Sequence, residues 1–311
     1  MNNCHEANVA VYTPQDQVAR ESLFAEMRAI EDELKAETND WRERMASWEA
    51  SLPGDADEWT VVEPGIEEIS AGGQKYRLLE DGSLLAEGYA PTKHRAQFTV
   101  ETPLEGITGF RLELLNHPNL PAGGPGRSIQ GTAALTEFEV EAKPADDAAE
   151  WQKVEIAAAS ADVELPETPL AAIYDDKSDK QRVTGPVAMA IDGKSETAWG
   201  IDAGPGRRNL PRKAVFAVAE PVGFAGGTVL RIFLSQNHGG WNSDDNQNHN
   251  LGRFRLSITT AASPAADPLP RAVRQAISVP EAERTDDEHG AICADWRTTA
   301  TEWSEENPRI E

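Results

Sequence analysis

The sequence predicts a mostly β protein with helical arms: two jelly-roll-like β-sandwich modules, flanked by an N-terminal long helix or hairpin and by C-terminal helices. Three observations lead there. Near both ends apolar residues recur every three or four positions, the period of a helix face. Between them, over 58–262, Gly, Pro, Asn and Asp punctuate short apolar runs, as in strands and turns. That middle part also resembles itself in register, which predicts two copies of one β unit.

The N-terminal arm, 1–57, carries Leu23, Met27, Ile30, Leu34, Trp41, Met45, Trp48 and Leu52 along one stripe. Thr13-Pro14 supplies an N-cap followed by a proline whose missing N–H costs nothing in the first turn. A stripe with two tryptophans needs a cover. The C-terminal arm, 263–311, offers one: Thr285-Asp286-Asp287-Glu288 reads as a cap with an acidic first turn, and Ile292, Trp296, Ala300 and Trp303 repeat at fours and threes. The arms are expected to pair as an antiparallel coiled hairpin; the alternative is that each docks separately on the β region.

Module one is expected at 58–144 and module two at 145–262. Trp59-Thr60-Val61-Val62, Tyr76-Arg77-Leu78-Leu79, Phe98-Thr99-Val100 and Phe110-Arg111-Leu112-Glu113-Leu114 read as strands, and Glu80-Asp81-Gly82-Ser83 as a hairpin turn. The repeat matches Ala96–Val100 with 214–218, Phe110–Leu114 with 230–234, and 135–140 with 251–256. Lys143-Pro144-Ala145-Asp146-Asp147 reads as the linker between copies. On their last strand the copies carry opposite charge, Glu137/Glu139 against Arg253/Arg255, either pairing with each other or facing solvent.

Ala190-Ile191-Asp192-Gly193-Lys194-Ser195-Glu196-Thr197-Ala198-Trp199 resembles the "DG…T.W" signature of discoidin-like, galactose-binding-like sandwiches. Together with Gly124-Pro125-Gly126-Arg127, Leu135-Thr136-Glu137-Phe138-Glu139-Val140 and His249-Asn250-Leu251-Gly252-Arg253-Phe254-Arg255-Leu256-Ser257, the ensemble resembles the middle insert of the planctomycete-specific cytochrome c domain proteins. The resemblance implies a helical hairpin carrying such β modules between a c-type haem module and further domains, so that this chain is an insert, exported or periplasmic if part of a longer family member. Cys4-His5 is half of a haem-attachment CxxCH, with Met1 where the first cysteine would stand, so no haem is expected on these residues.

Composition excludes several functions. In 311 residues, 29 Lys+Arg face 53 Asp+Glu, a net charge of −24, which repels nucleic-acid phosphates and anionic headgroups. No apolar run is long enough for a membrane span, and Cys4 and Cys293 form neither a disulfide framework nor a CxxC-type zinc set. No GxSxG, HExxH, P-loop or dinucleotide glycine pattern occurs, so no catalytic residue is assigned and any activity is expected in flanking domains.

Binding is the better expectation. The stretch 235–250 is rich in amides, acids and glycines around one aromatic, Trp241. An indole face stacks on the apolar face of a sugar while amides bond its hydroxyls, which makes Trp241, Asn242, Asn246 and His238 the ligand-binding candidates. A packing or disordered loop is the plainer alternative. Metal candidates are weak: Asp192 on a structural Ca²⁺, or Asp244 and Asp245 with His238 and His249. For Asp192-Gly193…Thr197…Trp199 the structural account is stronger, with a tight turn, a threonine on the aspartate and a core tryptophan. Gly124-Pro125-Gly126-Arg127 and Gly204-Pro205-Gly206-Arg207 would either cradle an anion or set an arginine against an internal acid. The expected function is a non-catalytic binding and spacer module contacting polysaccharide or neighbouring domains. The alternatives are a structural or protein-interaction insert, or an acidic-residue hydrolase.

Overall fold

The computed structural model describes residues 13–52, 59–66, 73–146, 149–204, 207–240 and 248–310. The chain divides into a β unit, Asp57–Pro268, and a helical unit built from Val9–Ala56 with Leu269–Glu311.

In the β unit the strands are β1 (Thr60–Val61), β2 (Gly65–Ile66), β3 (Gln74–Leu78), β4 (Leu84–Gly88), β5 (His94–Thr102), β6 (Ile107–Leu114), β7 (Ala134–Leu135) and β8 (Glu137–Pro144). They continue as β9 (Gln152–Val154), β10 (Ile156–Ala161), β11 (Thr168–Pro169), β12 (Val183–Gly185), β13 (Thr197–Gly200), β14 (Arg212–Val222), β15 (Thr228–Gln236) and β16 (Arg253–Thr259). One sheet runs β10-β14-β6-β16-β4-β3, with β1 also on β16; a second runs β2-β5-β15-β8-β9; a small third runs β11-β12-β13-β7. Along β5 and β8 buried residues alternate with less buried ones, so each strand turns one face inward. Phe98, Phe110, Leu112, Phe138, Val140, Trp199, Phe216, Ile232, Phe254 and Leu256 share a single core.

This architecture is mostly β with helical arms, but the two expected modules, 58–144 and 145–262, do not exist as separate sandwiches. The repeat is real and its unit is half of one sandwich. The matched strands are β5 with β14, β6 with β15, and β8 with β16, and each pair is divided between the two large sheets. In each sheet the middle strand comes from the other copy: β6 lies between β14 and β16, and β15 between β5 and β8.

Matched contacts prove the correspondence. Leu112 pairs with Leu256 in one sheet, and Ile232 with Val140 in the other. Trp59-Thr60-Val61-Val62 and Trp151-Gln152-Lys153-Val154 extend the match, because Thr60 opposes Ile258 as Gln152 opposes Ala142. Across the core, Phe98 meets Phe254 at 5.6 Å and its counterpart Phe216 meets Phe138 at 3.9 Å between ring centroids. A period-two pattern says that one face of a strand is buried without saying what covers it, and here each copy covers the other. Glu137 and Glu139 therefore lie in the opposite sheet from Arg253 and Arg255, and the two charged strands do not pair with each other.

The helical unit contains α1 (Pro14–Glu37), α2 (Trp41–Ser51), α3 (Arg271–Ser278), α4 (Asp286–Thr299) and α5 (Asn307–Ile310). Capping boxes start α1 at Thr13/Asp16 and α4 at Thr285/Glu288. A break at 38–40 separates the 24-residue α1 from α2, and the two arms pack on each other in one helical unit as a bundle of several helices in place of a continuous coiled hairpin. Ile30 and Leu34 pack with Trp296, Ala300, Trp303 and Ile310, while Trp303 Nε1 donates to Thr38 Oγ1 at 2.9 Å. The predicted stripe is covered from Met27 onward; Leu23 remains 62% exposed.

Candidate functional site at one end of the sandwich

The segment after β15 is anchored in a buried polar network. Gly239 N–H donates to Thr92 O and Asn248 Nδ2 to Ala90 O, at 3.1 and 2.6 Å. Leu251 N–H donates to Gln236 Oε1 and Ala134 N–H to His249 O. Arg127 is buried, with Nη1 on Gln74 Oε1 at 3.0 Å and Nη2 on Gly88 O, so it serves a backbone carbonyl and an amide. Close packing requires glycine here: a Cβ at Gly126 would stand 2.0 Å from Thr132 O. Arg182 spans the base of the segment, donating to Asn237 O, Gly239 O and Tyr174 O and lying 3.4 Å from Asp176.

Three histidines sit in this network. His238 is 1% exposed; its Nε2 faces Val183 O at 2.9 Å, which places the proton there, and Nδ1 lies 3.4 Å from Thr136 Oγ1. Both nitrogens serve the fold, which corrects the expectation that His238 contacts ligand. His249 packs against Tyr174 with ring centroids 3.6 Å apart and the planes tilted by 46°, and its Nε2 is 3.3 Å from Thr132 Oγ1. His94 Nε2 meets Tyr76 Oη at 2.9 Å. Burial pushes His94 and His238 down to about 4 and His249 to about 3, helped by the charge of Arg127 on His94 and of Arg182 on His249, so all three are neutral at pH 7.

Among the described residues, Tyr174 Oη, His249 Nδ1, His94 Nδ1 and Asn248 Oδ1 at this end are buried with no hydrogen-bond partner. Large exposed apolar side chains adjoin the network in sequence, Tyr89 at 38%, Ile129 at 48% and Ile173 at 43% exposure. Trp241, Asn242, Asp244, Asp245 and Asn246 lie outside the described residues.

Asp192 behaves as a turn residue. It accepts from Thr197 Oγ1 at 2.9 Å and from Lys194 N–H at 3.0 Å, and Trp199 is 1% exposed in the core. Among the described residues no group of three or more His, Cys, Asp or Glu is arranged to hold a metal ion.

Sequence reasoning missed Gln74, Tyr76, His94, Tyr174 and Arg182. They come from distant strands and loops, and no local spacing joins them. Comparison with protein-family models, with curated proteins and with solved structures finds no match.

Proposed function

We propose that this chain is a non-catalytic binding and spacer module, that its sandwich contacts polysaccharide through the end carrying the segment after β15, and that it serves as an insert of a larger protein of the planctomycete cytochrome c domain type. The observation that carries the binding reading is the cluster of unpartnered buried polar atoms at that end. Native interiors leave few such groups, and a polar ligand or its bridging waters would satisfy them. The exposed Tyr89, Ile129 and Ile173 supply apolar surface of the kind that sugar faces and protein partners both use. Trp241, Asn242 and Asn246 are the proposed contact residues; His238 holds the base in place.

The test is a glycan array with the wild-type chain, Trp241→Ala and Tyr89→Ala, alongside thermal melts. Expected are glycan binding by the wild type and its loss in Trp241→Ala with an unchanged melt. Wild-type chain that binds no glycan would leave the interaction-insert reading, whose surface is the same Tyr89, Ile129 and Ile173.

A further inference from the structure

In each half of the repeat an Asp-Gly turn stands over the start of the last repeat strand, and the two halves place opposite charge beneath it. At Asp81-Gly82 the place is filled. Arg253 donates from Nη2 to Asp81 Oδ2 at 2.7 Å and from Nε to Ser83 Oγ at 2.9 Å. Arg255 lies 4.0 Å from Asp81 and forks onto Glu113 at 2.8 and 3.0 Å. Packing at this turn is tight, since a Cβ on Gly82 would stand 2.7 Å from Val61 Cγ1.

At Asp192-Gly193 the matched positions are Glu137 and Glu139, and the place is open. A cavity of about 630 Å³ lies between the turn and the β8–β9 edge, and a Cβ on Gly193 would meet nothing within 4 Å. Glu139 pairs with Arg95 at 2.9 Å and Asp192 with Lys194 at 3.6 Å. Glu137 has no ion pair among the described residues, and its Oε1 is buried without a hydrogen-bond partner. Burial and the neighbouring Asp192 push its carboxyl up to about 7, against the pull of the Gly193 and Lys194 N–H groups. Val154, Ile156 and Ile191 form an apolar wall, with Lys153 and Glu155 beside it.

We propose that this cavity binds a guanidinium group, with its N–H fork on the Glu137 carboxylate and its aliphatic stem along Val154, Ile156 and Ile191. The molecule itself shows the complement: where the repeat carries Arg253, the guanidinium bridges the turn aspartate and its neighbour. Planar bidentate donation favours guanidinium over ammonium, and the apolar wall suits a methylene stem. Among the described residues no group of three or more His, Cys, Asp or Glu is placed to hold a bare metal ion. The inference stands apart from the proposed glycan end, which uses other residues.

The experiment titrates the full chain by calorimetry at pH 8 with N-acetyl-arginine amide, its lysine counterpart, the neutral isostere N-acetyl-citrulline amide, and agmatine. Expected is binding of the arginine compound at least about tenfold tighter than of the lysine or citrulline compounds. Glu137→Gln should weaken it by a similar factor without lowering the melting temperature, and Glu137→Arg, which copies the filled half, should abolish it. Agmatine binding as tightly as the arginine amide identifies a small free ligand, and weaker binding identifies a partner's arginine. Equal response to citrulline or lysine amide, unchanged affinity in Glu137→Gln, or no binding of any compound would overturn the proposal.

Discussion

The two halves of the repeat use one strand plan to build two different connections and two different turns. After β6 the chain turns through Asn116 and His117, where His117 Nδ1 accepts from Asn119 N–H, before Arg127 and Thr132 join the buried network. After β15, the matched strand, it enters the buried network of His238, Asn248, His249 and Arg182. Beneath the turns, Arg253 meets Asp81 in one half while Glu137 is set near Asp192 in the other. Core residues stay equivalent throughout, Leu112 with Ile232 and Phe98 with Phe216. Register is therefore held by the inward apolar face, and the outward face and the connections are free to diverge in charge and in burial.

The largest expected effect separates the two connections. His94, His238 and His249 have native pKa values depressed below the ordinary 6.5, so the unfolded chain binds more protons as pH falls. Their contribution is intact above pH 6.5 and is lost between there and about 4, or 3 for His249, at up to ~1.4 kcal/mol per pH unit for each group. Urea unfolding at pH 7, 6 and 5 should show this loss, and His238→Gln should flatten it more than His117→Gln, whose imidazole is also lowered by burial but is not in the network. An equal response to both substitutions would remove the distinction between the connections.

Trp199→Ala should cost ~3–5 kcal/mol, because β13 has no equal in the first half and its indole fills the shared core. A small change in the urea midpoint would mean that the core closes without it. Leu112→Ala and Ile232→Ala should each cost ~2–5 kcal/mol and lower a single cooperative transition of the β unit. Two transitions, each moved by only one substitution, would restore the picture of two modules.

The smallest effects probe the turns. Arg253→Met leaves Asp81 and Ser83 without their guanidinium and should cost ~1–2 kcal/mol. Glu137→Gln should do the opposite. Its carboxyl titrates higher in the native state than the ordinary 4.5, so the native state loses stability as pH rises from 4.5 to about 7. The variant should accordingly melt higher than wild type at pH 8 and no higher at pH 5. Melting below wild type at pH 8 would show that Glu137 is favourably paired.

Much of the secondary structure was legible in the residues. Thr13 and Thr285 announce their helices because capping is a local bond, and Asp81-Gly82 announces its turn because Gly82 sits at φ 75°, where other residues are strained. Asp192, Thr197 and Trp199 were readable as turn and core for the same reason of short range. The site was far less legible. His238 read as a surface amide-loop residue, and the approach of Val183 of β12 and of Thr136 between β7 and β8 gives its ring partners inside the fold.

The sequence by itself determined which residues form strands and helices, that the β region repeats, and that the net charge is −24, since propensity, periodicity and charge are properties of neighbours in the chain or of the whole composition. Only the tertiary structure decided that the two copies interleave into one sandwich, that three histidines and two arginines gather at one end, and that Glu137 faces an open cavity where Arg253 fills its own. Each of those outcomes depends on which strand lies beside which, and burial of an apolar face favours many pairings locally while close packing of a single core selects one.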